Sequence, residues 1–268
     1  IKALKEICNA KTNDIELGSE FLHFIPGKIK RGIFSVDIGT AGSISLLLQA
    51  LILPSMFAPG KVTLKIKGGT CGKWQASVDY IRNVLFPHLQ KFVESIELKV
   101  LKRGYFPKGG GEVVVEIKPT FSPEEVGEVL LLKVAKIMLN ELGELQQVRG
   151  VVNLSKELEE KNVGKRIRMA TTNNLEKLGV PINIREEYVN SLNVGGEIVL
   201  WALFDTNFDN PVILGSDALI EKGKKSEDIG KEVASKLKKE IAERFPVDEH
   251  LVDQLIPYMA LLPGSTIA

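Results

Sequence analysis

Alternating hydrophobic and polar positions predict strands in the first half of the chain. In the segment 61–70, three apolar residues alternate with three lysines, which is the period of a half-buried strand. The same alternation occurs on both sides of 103–111, so that this stretch is predicted to be the connection of a β-hairpin. The connection contains three successive glycines. They indicate either a phosphate-binding loop or a backbone that needs positive φ or a close approach.

The period of 3.6 residues predicts helices elsewhere. They are expected within 35–60, where a short apolar helix follows a Gly-rich turn and stops near Pro54, and over 76–93, 122–143, 226–245 and 247–264. The helix over 122–143 is predicted to begin at Ser122, with Glu125 completing a capping box, and to end at Gly143. Two further strands are expected in 195–205 and 210–223. Strands that alternate with helices, together with a hairpin, indicate a mixed α/β fold.

A change in composition divides the chain into two parts. From about Arg149 the sequence is more polar, and its helices carry many charges. We interpret 149–245 as a smaller α/β domain inserted into a larger domain formed by 1–148 and 246–268.

The composition excludes few functions. Of the 268 residues, 44% are apolar, which is enough for a sizeable core, and the net charge is +1, so that any nucleic-acid surface must be local. The two cysteines predict neither a disulfide framework nor a zinc site, and they fit a reducing cytoplasm. No apolar run approaches the ~18 residues of a membrane span, so that we expect no membrane partner and no signal peptide.

The last predicted helix carries a group of polar residues. His250, Asp253 and Gln254 have spacings that place them on one face, opposite an apolar face. This polar face is either solvated surface or a binding site, and the pattern leaves both open. No second His or Cys lies near His250, so that a zinc site is not expected there. Four other residues are interpreted as structural rather than functional: His23, His88, Trp74 and Trp201.

Four stretches in order resemble one known family. They are "DIGTAGSISLLLQ" (37–49), "GGT" with "VDY" ten residues on (68–80), "RGYFPKGGGEV" (103–113) and "HLVDQLIPYMAL" (250–261). Together they resemble the RNA 3'-terminal phosphate cyclase family. The resemblance implies a large domain of repeated βαβαββ units with a small inserted α/β domain. It also implies that ATP and a divalent metal, Mg or Mn, are used to convert an RNA 3'-phosphate into a 2',3'-cyclic phosphate.

The resemblance assigns candidate site residues. ATP contacts carry over to Gln49 and to the segment His250, Leu251, Val252, Asp253 and Gln254. Gln49, His250, Asp253 and Gln254 are therefore expected to converge on one pocket. Arg103 and Lys108 are candidates for contact with phosphate or RNA, although Arg103 is equally interpretable as a surface charge at a strand end.

The sequence also departs from the family pattern. The Gly-rich signature expected at the N-terminus is absent, and Ile1 is expected to lie just after it. Cys71 replaces an acid or amide, and Ala76 replaces a proline expected near the adenine. The family's nucleophilic histidine is expected beyond Ala268, so that the catalytic residue is not identified within this chain and His250 is not the nucleophile.

Two other functions are weighed against the cyclase. One is a non-catalytic, cyclase-like RNA-binding protein of ribosome biogenesis, which would share the fold and lack the nucleophile. The other is an enolpyruvate transferase, a distant relative in fold, which would need a denser set of Arg and Lys motifs. For a cyclase we expect RNA 3'-phosphate ends as partners and a cytoplasmic location, and a homodimer is a candidate oligomeric state.

Overall fold

The computed structural model describes residues 1–14, 16 and 18–268. Its strands are β1 (Lys11–Thr12), β2 (Phe24–Ile25), β3 (Gly32–Asp37), β4 (Val62–Gly68), β5 (Val93–Lys102), β6 (Gly111–Pro119), β7 (Met138–Leu139), β8 (Leu145–Ser155), β9 (Ile182–Val189), β10 (Gly196–Phe204), β11 (Ile213–Leu219) and β12 (Thr266–Ile267). Its α-helices are α1 (Lys2–Ile7), α2 (Ile44–Met56), α3 (Val78–Tyr80), α4 (Phe86–Leu89), α5 (Glu128–Lys133), α6 (Val163–Leu175), α7 (Ser226–Glu243) and α8 (Glu249–Ala260).

The first large sheet is built from one βαβαββ unit. Its strand order is β3-β4-β6-β5, with β3 and β4 parallel and the other neighbours antiparallel. A π-helical segment at Ile81–Leu85 joins α3 to α4, so that the helical stretch extends over 78–92 after the N-cap Ser77. The predicted hairpin is confirmed, because β5 and β6 pair on either side of the connection.

The second large sheet has a different order of elements. Its strands lie in the order β11-β10-β8-β9, with β8 and β9 parallel. α6 connects these two parallel strands and packs against α7, which buries Ile229, Val233 and Leu237 along one stripe. Within the part of the chain that the structure describes, no strand is shared between the two large sheets. Both sheets are mixed, and the α/β fold class predicted from the sequence is confirmed.

After the second sheet the chain returns to the part that precedes it. β12 pairs in parallel with β7, with Thr266 opposite Met138. The strands within 196–219 lie in the second sheet, whereas the predicted boundary between 148 and 149 falls inside β8. The division of the chain into a larger domain and an inserted one stays a prediction.

The predicted long helix over 122–143 is wrong. The capping box of Ser122 and Glu125 is present, but it caps only a 3₁₀ turn at Pro123–Glu125. Gly127 follows with φ +128°, which interrupts the helical backbone, and α5 then ends at Lys133. Gly143 lies in a loop rather than at a helix end. A capping signal therefore starts a helix without determining how far it runs.

The helices of the described residues fall short of what a membrane span requires, since none combines sufficient length with sufficient apolar character.

Candidate functional site

Three glycine-rich loops meet backbone to backbone at one end of the first sheet. The Gly69 amide donates to the Gly42 carbonyl at 2.8 Å, which joins the loop after β4 to the loop after β3. The Thr70 amide donates to the Gly104 carbonyl at 2.9 Å, which joins the loop after β4 to the hairpin connection. We call the contact of these three loops the glycine junction, made of 38–43, 68–70 and 103–111.

The triple glycine allows the hairpin connection to enter this junction. Gly109 has φ +70°, and a Cβ atom there would lie 2.3 Å from the Thr40 carbonyl oxygen. Gly110 has φ +76°, and its Cβ would lie 2.5 Å from the Leu192 side chain. Both distances are shorter than real side chains tolerate, and both backbones are left-handed. The interpretation that these glycines serve positive φ and close approach is confirmed.

A buried ion pair joins the helical stretch of the first unit to the second sheet. The Arg103 guanidinium is 3% exposed and donates to the fully buried Asp79 carboxylate and, at 2.8 Å, to Glu187 on β9. Arg82 donates to the other oxygen of Asp79 at 2.8 Å. Burial alone would lower the pKa of Arg103, but Asp79 raises it above its ordinary value. Arg103 therefore stays charged, and losing Asp79 would leave this buried charge with the half-buried Glu187 alone.

A second buried carboxyl group lies in the same region. Glu197 on β10 accepts from Asn153 Nδ2 at 3.0 Å, and Asn153 in turn accepts from the Tyr105 hydroxyl at 2.9 Å. The other oxygen of Glu197 has no hydrogen bond in the part of the chain that the structure describes. Burial, followed by the charge of Asp79, raises the pKa of Glu197 to about 8. This carboxyl group is therefore largely protonated at neutral pH.

The last helix joins this region through Asp248. Asp248 is the N-cap of α8 and accepts from the His250 amide at 2.9 Å, from the Gly215 amide at 2.7 Å and from the Tyr80 hydroxyl at 2.5 Å. The Tyr80 ring also packs edge-on against the His250 ring, with 5.7 Å between their centroids. Because Tyr80 belongs to the second of the four stretches, all four are connected by direct contacts.

The residues predicted to bind ATP differ in their placement. Gln49 is exposed on α2, and Asp253 is exposed on α8. His250 is partly exposed and borders a cavity that also touches 72–75, but this cavity does not include Gln49. Gln254 is only 7% exposed and donates from Nε2 to the His250 carbonyl at 3.0 Å, so that it faces the packed side of the helix. The convergence of the four residues on one pocket stays a prediction.

The remaining candidates are also divided between surface and interior. In the segment 250–254, Leu251 is buried and Val252 is half-buried. Lys108 is exposed, and its backbone amide donates to Asn193 Oδ1 at 3.0 Å, which holds the connection in place. Its ammonium group has no hydrogen-bond or ion-pair partner among the described residues. Arg103 is not the surface charge that its strand-end position indicated, because its guanidinium is buried and doubly paired.

The residues interpreted as structural give a mixed result. Trp201 is buried and packs as predicted, and so does His88, whose pKa is lowered to about 3 by burial and then by Lys91. His23 is exposed. The prediction that Trp74 is a packing residue is wrong, because its side chain is 96% exposed.

Sequence reasoning missed the carboxyl groups that organise the site. Asp248 could have been found, since Asp just before an apolar-periodic segment is an N-cap signal. Glu197 also left a signal, because it is the only charge in the apolar strand "GEIVLWALF". Asp79 and Asn153 left no comparable signal, since nothing in the local pattern shows that their partners come from distant elements.

Comparison with known proteins now assigns this arrangement to a class. The fold is a mixed α/β structure with a βαβαββ unit, and a family model described as RNA 3'-terminal phosphate cyclase matches residues 1–268. Proteins named RNA 3'-terminal phosphate cyclase are similar along the whole chain. The one from Pyrococcus furiosus is 39% identical over 268 residues, which cover 99% of this chain and 72% of that protein. Those from Ignicoccus hospitalis and Methanopyrus kandleri are 38% and 37% identical, covering 99% and 100% of this chain and 72% and 73% of their own lengths.

The chain belongs to the RNA 3'-terminal phosphate cyclase family. The resemblance inferred from the four stretches is confirmed, and so is the prediction of an enzyme.

The glycine junction generates a prediction about stability. We expect Gly109→Ala to lower the free energy of unfolding by about 3 kcal/mol, of which roughly 1 reflects the left-handed backbone and the rest the clash with Thr40. Gly179→Ala is the matched control, because Gly179 has φ +71° and open space around it. It should cost only about 1 kcal/mol. Urea unfolding measures both variants, and equal losses would contradict the steric argument.

The buried Glu197 generates a prediction about pH. Its pKa is higher in the folded protein than in the unfolded chain, so that the folded protein binds the carboxyl proton more tightly than the unfolded chain does. This contribution to stability is fully present below pH 4.5 and is lost as the pH rises toward 8. Glutamine does not titrate. We therefore expect the free energy of unfolding of Glu197→Gln to fall less between pH 5 and pH 8 than that of the wild-type protein.

Urea unfolding at several pH values tests this expectation. Glu97→Gln is the control. This substitution makes the same chemical change at the surface, since the Glu97 side chain is 62% exposed. The control should keep the wild-type slope of stability against pH. A Glu197→Gln protein with the wild-type slope would show that this carboxyl group is ionised when folded.

Proposed function

We propose that the protein converts an RNA 3'-terminal phosphate into a 2',3'-cyclic phosphodiester, using ATP, through enzyme–AMP and RNA–adenylate intermediates. The observation that carries this proposal is the match to one family along all 268 residues. Relatives that bear the cyclase name favour the enzyme over the non-catalytic RNA-binding alternative. RNA 3'-phosphate ends are the proposed substrate. A cytoplasmic location and a homodimer remain part of the proposal.

The exposed polar residues of the four stretches are the proposed contacts for ATP. The Gln49 amide offers both donors and acceptors, and the exposed Asp253 carboxylate can accept from a donor or hold an ion. His250 adds a partly exposed imidazole at the start of α8. The buried Leu251 and Gln254 hold this helix in place and would act on ATP only through its position.

Positive charge for phosphate is proposed to come from Lys108 more than from Arg103. Lys108 is exposed at the glycine junction, where its amide is held by Asn193. The donors of Arg103 are engaged by Asp79 and Glu187, and freeing them would cost about 3–5 kcal/mol for a buried pair. We therefore assign Arg103 the role of positioning the loop that presents Lys108.

A divalent metal fits this chain as an ion carried by the nucleotide. Among the described residues, no three His, Cys, Asp or Glu side chains are placed to hold a metal. Mg²⁺ commonly takes only one or two carboxylates and completes its shell with water and substrate phosphates. Asp253 is an exposed carboxylate suited to such a contact. When bound, Mg or Mn would offset the negative charge of the phosphates.

The proposed reaction has three transfer steps. A histidine nitrogen attacks the α-phosphorus of ATP, and the bond to pyrophosphate breaks. The AMP group passes to the RNA 3'-phosphate, and the neighbouring 2'-OH then attacks that phosphate and expels AMP. Covalent transfer to imidazole divides one difficult step into easier ones. His88 is not this histidine, because its buried, neutral side chain has no access to substrate.

The covalent intermediate provides the test of the proposed function. We expect the protein expressed from its complete reading frame, with labelled ATP and Mg²⁺ or Mn²⁺, to form an acid-labile and alkali-stable protein–AMP adduct. Omission of the metal ion is the control and should abolish the label. A folded protein that forms no adduct but binds RNA ends would favour the non-catalytic alternative.

The assignment of Asp253 generates a second prediction. We expect Asp253→Ala to lower adenylylation at least tenfold, equivalent to about 1.4 kcal/mol of transition-state stabilisation. The melting temperature should change little, since the side chain is exposed and makes no hydrogen bond within the described residues. Asp209→Ala, at an exposed position outside the four stretches, is the control and should leave adenylylation unchanged. Normal adenylylation by Asp253→Ala would show that the family's site lies on other residues.

A further inference from the structure

A closed turn displays a phenylalanine ring at the tip of the hairpin connection. Phe106, Pro107 and Lys108 form this tip, and the Phe106 side chain is 80% exposed. At the base of the turn, the Gly109 amide donates to the Tyr105 carbonyl at 2.9 Å. The closed base keeps the Phe106 ring outside the core and in contact with solvent.

The base of this turn is anchored to both large sheets. Tyr105 is buried, and its hydroxyl donates to Asn153 on β8 of the second sheet at 2.9 Å. On the other side, Gly109 packs against the loop after β3, where a Cβ atom would meet the Thr40 carbonyl oxygen. A surface that is already rigid loses little conformational entropy when a ligand binds. The tip of the turn is therefore preorganised for binding.

A loop of the second sheet adds two apolar side chains beside this turn. Leu192 is 63% exposed and Val194 is 59% exposed, in the loop that joins β9 to β10. The loop contacts the turn directly, since Asn193 Oδ1 accepts from the Lys108 amide at 3.0 Å. We call Phe106, Leu192 and Val194 the two-loop patch. Exposed apolar side chains on adjoining loops indicate an interaction site more strongly than a single one does.

The two loops carry positive charge and no negative charge. The segments 101–111 and 189–195 contain three cationic residues and neither Asp nor Glu. Arg103 is buried in its ion pairs, and Lys102 is paired with a glutamate at 2.9 Å. The Lys108 ammonium has no hydrogen-bond or ion-pair partner within the part of the chain that the structure describes. It is therefore available to an anionic ligand beside the patch.

These features together fit a strand of nucleic acid. Proteins that bind single strands combine aromatic rings, on which bases stack, with cations that contact the phosphates. A protein partner is disfavoured by area, since a specific interface covers about 800 Å² on each partner. The three apolar side chains of the two-loop patch provide much less surface than that.

We propose that the two-loop patch binds the RNA strand next to its 3'-phosphate, with a base stacked on Phe106 and a backbone phosphate at Lys108. The inference rests on the proposed function, which requires an RNA end as substrate. The second sheet then takes part in substrate binding, because Leu192 and Val194 belong to its β9–β10 loop. The residues proposed for ATP lie on α2 and α8, and none of them belongs to the patch.

RNA binding without ATP provides the first test. The probe is a fluorescent RNA oligonucleotide that ends in a 3'-phosphate, and its anisotropy is measured as protein is added. We expect Phe106→Ala to weaken binding by about 5-fold or more, which corresponds to ~1 kcal/mol. Phe106→Tyr should keep the wild-type affinity because it keeps a ring. Phe208→Ala is the matched control, since it removes another ring with 78% exposure, and it should have no effect.

Abasic nucleotides show whether the ring contacts a base. Three versions of the oligonucleotide carry an abasic site at the last, the second-last or the third-last nucleotide. The version that lacks the stacked base should bind the wild-type protein more weakly. With that version Phe106→Ala should cause no further loss, because the two changes remove the same contact.

Two further variants test the charge and the second sheet. Lys108→Gln should reduce the slope of log affinity against log salt by about 0.7, the value for one phosphate of a single strand. Lys231→Gln, at an exposed position on α7, is its control and should keep the wild-type slope. Val194→Asp should weaken RNA binding by repulsion, whereas Val126→Asp places the same charge outside both loops and should not. The melting temperature of each variant checks that it is folded.

The outcomes separate this proposal from the proposed function. Unchanged RNA affinity in folded Phe106→Ala overturns the patch even if the adduct with AMP forms. An equal loss in Phe106→Ala with all three abasic versions also overturns it, because stacking requires a base. A lower molecular mass of Phe106→Ala in solution, with unchanged RNA affinity, would assign the patch to a contact between copies instead. Base-dependent RNA binding by a protein that forms no adduct supports the patch and counts against the cyclase reaction.

Discussion

The buried pairing of Arg103 with Asp79 and Glu187 is the interaction on which the arrangement of the two sheets depends. It joins the hairpin connection and the helical stretch of the first unit to β9 of the second sheet. Such a pair is weak evidence for stability, since desolvating the charges offsets much of their attraction. Its geometric demand is strict, however, because any separation of the sheets would break the contact with Glu187 and leave the guanidinium of Arg103 with Asp79 alone. The ion pair therefore selects one docking geometry, and the surrounding apolar core supplies most of the stabilisation.

The glycine junction and the carboxyl network act together with this pair. The glycines allow three loops to approach at backbone distance, which leaves little room for adjustment. The Asp248 carboxylate accepts hydrogen bonds from the Tyr80 hydroxyl, from the Gly215 amide and from its own helix, so that α8 is oriented by two other elements, α3 and β11. The proposed ligand-binding residues thus stand on elements whose positions are determined by buried polar contacts rather than by the binding residues themselves.

Elements with a regular period could be predicted from the sequence, and long-range contacts could not. The hairpin of β5 and β6 and the amphipathic helix α7 were both recognisable, because each buries one face at a constant spacing. The helix over 122–143 was not, because Gly127 interrupts it with a backbone conformation that periodicity does not reveal. The burial of Arg103 could not be inferred either, since it depends on a glutamate 84 residues away. Of the candidate site, the four stretches were recognisable by resemblance, whereas the exposure of Trp74 and the burial of Gln254 required the structure.

The pairing of β12 with β7 has a consequence for the order in which the protein folds. Thr266 and Met138 are separated by a long stretch of chain that contains the whole second sheet, and they join through strands of only two residues. Closing so large a loop costs conformational entropy that two short strands cannot repay alone. The pairing must therefore form late, after the second sheet has become compact and brought its two ends together. For the same reason it is expected to be among the first contacts to open in the native protein, so that the residues after α8 can loosen while both sheets remain folded.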